Sequence, residues 1–260
     1  MKKTILIALV FCFGIISCEK DSIIDLERQY PASKHKIAEI VFYERGSKEG
    51  FRDIPAGNIN GKPFGIRLSF TINGNPIGVF SDSIFINHSG VKYTVARLKY
   101  FLSDIYIHKY YEQINGISFT MGLNKEKNIS NAYVNEVFHP TMFWPEILGG
   151  GYHYMKLEGK TYGEDTIFYN THTGGTDGYD YSFNKYFAVD ANKHVFNMNR
   201  IRVDGSTYEY SYIVLNMDIA KWYSNPNTIN FEGGIMENPQ RQQELQENGE
   251  LDVFSIVEHE

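Results

Sequence analysis

Residues 138–178 hold the densest run of side chains able to do chemistry. Phe138-His139-Pro140 is followed by Met142-Phe143-Trp144-Pro145 and by Gly149-Gly150-Gly151-Tyr152-His153-Tyr154-Met155-Lys156-Leu157-Glu158-Gly159. Asn170-Thr171-His172-Thr173-Gly174-Gly175 comes next. Strand alternation puts His153 and Met155 on one face, and Tyr152, Tyr154 and Lys156 on the other. His172 closes the following strand-like run. If the two strands pair through 160–165, the two imidazoles come from neighbouring strand ends. Imidazole with thioether suits copper, while imidazole alone also suits zinc or nickel. The bland alternative is a pair of half-buried histidines in an aromatic sandwich.

The other candidates are weaker. Thr176-Asp177-Gly178-Tyr179-Asp180 offers alternating carboxylates to calcium, but it lacks the length and final Glu of an EF-hand loop and also reads as a solvated turn. His88 falls in a turn, and His108 and His194 sit beside lysines as surface residues. His35 and His259 lie near the two ends. There is no Gly-x-Ser-x-Gly, His-Glu-x-x-His or phosphate loop, so an enzyme is not expected. With 25 Lys+Arg against 31 Asp+Glu, the formal charge of −6 argues against a nucleic-acid partner.

The elements that position these residues read as strands. The chain has 260 residues, 15% of them aromatic, a composition that leans towards β structure. Ile66, Leu68, Phe70 and Ile72 alternate with polar residues, and Asn73-Gly74 follows as a hairpin turn. Ile84 to Ile86 is a short strand. Val91 to His108 is a long one with a bend near Ala96 or Ser103. Ile117–Leu123, Tyr152–Glu158, Thr166–His172 and Tyr208–Met217 are also strands, with an Asp204-Gly205 turn before the last. Asp218 to Tyr223 suggests one turn of helix. The clearest helix runs from Asn238 as N-cap through Pro239 to Asn248, with Gly249 as its stop. The expected fold is all-β, an antiparallel β-sandwich with one short C-terminal helix.

The first residues are a targeting segment. Lys2 and Lys3 precede an apolar run from Ile5 to Ile16, which is too short to span a membrane, and then Ser17-Cys18. Ile-Ile-Ser-Cys resembles a bacterial lipobox, so Cys18 is the expected lipidation site. The expected organisation is a lipoprotein signal peptide over 1–17, a lipidated tether over 18–35 and one domain over 36–260. Glu19-Lys20-Asp21 resembles the surface-export tag of some Bacteroidetes lipoproteins. The expected location is the bacterial outer membrane, facing the periplasm or the cell surface. Both cysteines, Cys12 and Cys18, fall in this segment, so the domain has neither disulfide nor thiolate site.

Four blocks resemble the MbnP-like family, which is related to the methanobactin-associated copper protein and to the copper proteins of methanotrophs. They are Thr94 to Ile105, Phe119 to Leu123, Met142-Phe143-Trp144 with Gly151 to Gly159, and His172-Thr173-Gly174. Asn225 to Phe231 and Asp252 to Ile256 also fit, so the likeness runs over about residues 64–258. It implies a β-sandwich and copper bound by histidines. His172 matches a family position, and His153 stands inside the motif where other members often carry another residue. The implied site is His153 and His172 with Met155 or Trp144 nearby. Some relatives oxidise a tryptophan at the copper site, and Trp144 lies in the matching block. Relatives often pair with a di-haem peroxidase-like protein; this chain lacks Cys-x-x-Cys-His and would not bind c-type haem itself. The expected function is a lipid-anchored copper-binding protein for capture, storage or delivery, weakening below about pH 6 as imidazole charges. The alternative is a metal-free surface module for glycan or peptide.

Overall fold

A computed structural model describes residues 37–43, 53–59, 62–77, 83–110, 113–190, 197–203, 206–231 and 234–258. Cys18, the tether, His35, His194, His259 and the Asp204-Gly205 turn lie outside the described residues. The strands sort into two sheets. The first holds β1 (Ile37–Tyr43), β5 (Phe85–Ile86), β6 (Lys92–Tyr110), β7 (Gln113–Met121), β8 (His153–Tyr162), β9 (Thr166–Gly174) and β10 (Phe183–Ala188). The second holds β2 (Asp53–Ile59), β3 (Lys62–Ile72), β4 (Asn75–Pro76), β11 (Asn197–Val203), β12 (Ser206–Asp218) and β13 (Phe254–Ile256).

Period-2 alternation makes the core. Leu98, Tyr100 and Leu102 of β6, Phe119 and Met121 of β7, and Leu157 of β8 face Ile66, Leu68 and Phe70 of β3 and Ile213, Leu215 and Met217 of β12. Each such side chain contributes about 1.5–3 kcal/mol by leaving water. Asn73 and Gly74 take φ of 51° and 76°, the left-handed pair that a tight hairpin requires.

The long strand bends where its sequence suggests. The pairing of β6 with β8 slips between Val95 and Arg97, and its pairing with β7 slips between Ser103 and Tyr106. Asp104, inside the second slip, holds φ at 51° while its carboxylate takes the Asn124 amide at 3.0 Å and pairs with Lys127. β8 runs along the first half of β6, β7 along the second, and β1 across the middle.

Two features depart from expectation. β12 pairs with β3 in parallel, in an otherwise antiparallel sandwich. A parallel pair needs a crossover connection, and residues 73–205, which include most of the first sheet, supply it. The helix α2 (Pro239–Asn248) is capped as expected, with the Asn238 carbonyl oxygen of the side chain accepting from Arg241 N at 3.2 Å. Gly249 does not stop it. The residue stays right-handed at φ −61°, and the chain continues into one π-helical turn, Gly249–Val253. Glycine is needed there because a Cβ would run into Phe183 and Trp222.

The outer face of the first sheet has its own cover. Residues 122–152 cross it as an irregular strap containing one helical turn, α1 (His139–Met142), and a 3-10 turn, Glu146–Leu148. Phe101, which points away from the main core, joins Leu123, Tyr133, Phe138, Met142, Tyr152, Tyr154 and Tyr181 in a second buried cluster.

Candidate metal centre

β8 and β9 form the hairpin that carries both histidines. Lys156 stands opposite His172, Met155 opposite Thr173, and His153 opposite Gly174, so Tyr154 is a bulge with no partner. A bulge adds one residue and reverses the alternation beyond it. The expectation that His153 and Met155 share a face is therefore corrected. His153 moves to the outer face with Lys156 and His172. Met155 stays on the inner side, fully buried in the main core.

The bulge brings the two imidazoles together, their ring centroids 5.0 Å apart at an interplanar angle of 80°. They are 5% and 8% exposed, so both sit in a water-poor site. His153 Nδ1 lies 3.1 Å from the Met142 carbonyl oxygen. A carbonyl only accepts, so Nδ1 carries the hydrogen and Nε2 the lone pair. His172 Nε2 lies 2.8 Å from Glu158 Oε1. Burial raises the Glu158 pKa, but the His172 hydrogen bond and charge, with Arg97 and Lys156, outweigh it and bring the carboxyl down to about 2. The carboxylate accepts, so Nε2 is the donor and Nδ1 holds the lone pair. Neither His153 Nε2 nor His172 Nδ1 has a hydrogen-bond partner, and both are buried. A ring held by an oxygen acceptor through one nitrogen, with the other nitrogen bare, is the arrangement of a metal-ligating histidine.

Trp144 covers the pair. Its ring centroid is 4.7 Å from that of His153, in an edge-to-face approach, and its Nε1 is buried without a partner. The indole lies so close to Gly174 that a Cβ there would stand 2.6 Å from it. Trp144 is held by its own amide, which donates to Gly151 O at 2.9 Å. Behind the pair, the fully buried Gln242 of α2 grips β9. Its Nε2 donates to His172 O at 2.9 Å and to Ile235 O at 3.0 Å, and its Oε1 accepts from Gly174 N at 3.1 Å.

Glu158 and Gln242 are functional positions that the sequence reading passed over. Glu158 was reachable, because it alternates with Lys156 on the strand whose hairpin partner carries His172. The only clue to Gln242 was its place on the same stripe of α2 as Leu245, where an apolar residue is expected. Glu158→Gln should lower metal affinity about 10–100-fold, the usual effect of losing an outer partner of a histidine ligand. An isothermal titration that shows no change would remove Glu158 from the site.

Burial, and next the charge of His172, lower the His153 pKa to about 3. The expected onset near pH 6 is that of an exposed imidazole and does not hold for this ring, which keeps its lone pair well below that. The same shift bears on stability. The unfolded chain takes a proton on His153 near pH 6.5 and the folded one only near pH 3, so the unfolded state binds more protons between those values. In metal-free protein, stability should fall as pH drops through that window, by up to about 1.4 kcal/mol per pH unit. Glu158 is also depressed, so its contribution is present above pH 4.5 and is lost towards pH 2. Urea unfolding across pH 7 to 4 measures the slope. An unchanged slope in His153→Gln would exclude His153 as its source.

The remaining candidates settle elsewhere. Asp177 and Gly178 form a turn in which Tyr179 N donates to Thr176 O at 3.0 Å, with φ of 54° and 80°. Asp180 is occupied by Tyr154 Oη at 2.8 Å, Ser182 N at 2.8 Å and Lys125 N at 2.9 Å. His88 and His108 are exposed and pair with Ser89 and Ser118. His139 Nδ1 meets Tyr152 Oη at 2.9 Å within the strap. Among the described residues, no group of three or more His, Cys, Asp or Glu side chains is arranged to hold a metal. No helix among them is long and apolar enough to cross a membrane.

The fold and the site define a class: a β-sandwich with a buried two-histidine centre on the outer face of one sheet, roofed by a tryptophan strap. The profile of the MbnP family matches residues 107–239, just over half of the chain and including Trp144, His153, Glu158 and His172. The chain belongs to the MbnP family, which is associated with methanobactin and copper. No curated protein and no solved structure matches it.

Proposed function

We propose that the protein is a copper-binding protein, held to a membrane by lipid on Cys18, that captures, stores or delivers the metal through His153 and His172. One observation carries the reading. Two buried imidazoles, 5.0 Å apart, each direct one nitrogen to an oxygen acceptor and leave the other without a partner. Ligand type supports copper over its competitors. Zinc centres use three or four protein ligands, and calcium and magnesium require oxygens. A pair of neutral nitrogens in a thiolate-free site suits copper best among the metals that favour imidazole. The fit rests on His153 and His172; Met155 lies across the sheet, and Trp144 Nε1 is a donor and supplies no lone pair. Trp144 acts here as the roof that keeps water from the two rings. Delivery to or from a di-haem peroxidase-like partner is the accompanying proposal, carried by the family resemblance alone.

Elemental analysis with EPR after copper loading is the test. One copper retained per chain through gel filtration supports the reading. Retention of zinc in preference to copper, or of no metal, overturns it. Binding of glycan or peptide by metal-free protein would favour the alternative.

A further inference from the structure

The paired strands of the first sheet carry an unusual charge. Register sets which residues share the outer face: Lys92 with Tyr162 and Thr166, Thr94 with Lys160 and Phe168, Arg97 with Glu158 and Asn170, and Lys99 with Lys156 and His172. The bulges at Ala96 and Tyr154 preserve this face along its whole length. On it stand five cations, Lys92, Arg97, Lys99, Lys156 and Lys160, against the single carboxylate of Glu158, in a chain whose formal charge is −6. The nearest further acids on this hairpin, Glu164 and Asp165, lie in its turn, at the end away from His172.

Several of these cations are engaged, yet their charge persists. Lys156 Nζ donates to Thr141 O at 3.1 Å and Lys99 Nζ to Thr141 Oγ1 at 3.3 Å, both neutral acceptors. Arg97 pairs with Glu158 at 2.8 Å, but the same carboxylate is already taken by His172. Lys160 lies 4.9 Å over the ring of exposed Phe168. The His172 side chain is 10% exposed, and it belongs to this face. A metal ion approaching His172 across the sheet meets a positive field. Low-dielectric surroundings and like charges repel a free cation there, and the same field draws in an anion.

We infer that the two-histidine centre takes its copper from an anionic complex of the metal, drawn along this cationic face to His172. The inference rests on the copper reading and names the chemical class of the carrier. It is a statement about rate and salt dependence. Distant charges steer encounter and leave the ligand bonds as they are.

Stopped-flow transfer of copper(I) to the purified protein tests it, using two donors with the same phenanthroline nitrogens and opposite overall charge. These are the anionic bathocuproine disulfonate complex and the cationic neocuproine complex. Transfer from the anionic donor should slow about tenfold as salt rises through the range where the Debye length shrinks from about 30 Å to 8 Å. Transfer from the cationic donor should not slow. Lys92→Glu with Lys160→Glu should slow the anionic transfer about tenfold at low salt and leave equilibrium affinity within about twofold. Equal, salt-independent loading from both donors would overturn the inference and leave the copper reading intact. Failure to load from either donor would overturn the copper reading itself.

Discussion

The double variant His153→Ala, His172→Ala should lose copper binding while remaining folded, with affinity falling by more than about a thousandfold. The magnitude follows from what each ring contributes. Loss of an outer partner alone lowers metal affinity about 10–100-fold, and these variants remove the nitrogen donors themselves. The fold should survive because neither ring belongs to the main inter-sheet core, which is made of apolar side chains on the other face of β8 and β9. Each ring makes one side-chain hydrogen bond, to Met142 O or to Glu158. The loss of stability should therefore be a few kcal/mol. Competition titration against a copper(I) chelator measures affinity, and urea unfolding reports the fold. His153→Gln with His172→Gln keeps a polar group of similar reach and serves as the second variant if alanine proves too disruptive. Retention of copper within tenfold of the parent affinity in a folded double variant would remove these residues as ligands.

The hairpin that makes this centre was legible in outline, and its decisive detail was not. Alternation in Ile66–Ile72, the bend in Val91–His108 and the Asn238-Pro239 helix start are local patterns, and the chain follows them. The pairing of the two histidine strands was also open to inspection, since 160–165 is a short connection. The bulge at Tyr154 was not. A bulge is one extra residue in one strand, selected by what the partner strand and the neighbouring elements demand, and it leaves no period of its own. It decides that His153 joins His172 and that Met155 does not. The strap over residues 122–152 was hidden for a related reason. Its second aromatic cluster is built from irregular chain around Phe101, Tyr133, Phe138 and Tyr152, so no spacing announces it. The parallel pairing of β3 with β12 joins residues about 145 positions apart, as the Ser69 to Asn216 hydrogen bond illustrates, and local patterning carries no information on it.

Gly159→Ala should be the most damaging single-methyl change on β8, lowering stability by about 3–5 kcal/mol, at the upper end for a point substitution. Gly159 stands opposite Val95, beside the Ala96 bulge. A Cβ built there falls well inside van der Waals contact with the Thr94 carbonyl oxygen, and 2.7 Å from the ring and the hydroxyl of Tyr169. The first obstacle is backbone, which a rotamer change cannot relieve. The second is a ring pinned in place, because Tyr169 Oη reaches across Gly159 to donate to that same Thr94 carbonyl at 2.9 Å. The tyrosine therefore fills the space a side chain would need, and the glycine in Lys156-Leu157-Glu158-Gly159 is explained by this crossing. To admit a methyl, β6 and β8 must part or Tyr169 must leave the core. Either movement disturbs Glu158, the adjacent residue, and with it the orientation of His172. Copper affinity should fall together with stability, and copper at about 100 times its dissociation constant should restore about 2.7 kcal/mol by linkage. Gly163→Ala is the control. It sits in the hairpin turn, where a Cβ would find only Asp165 O at 3.9 Å, so urea unfolding should show little change. If Gly159→Ala lost less than about 1 kcal/mol, the crossing would not be rigid, and Tyr169 could not be what holds the histidine strand against β6.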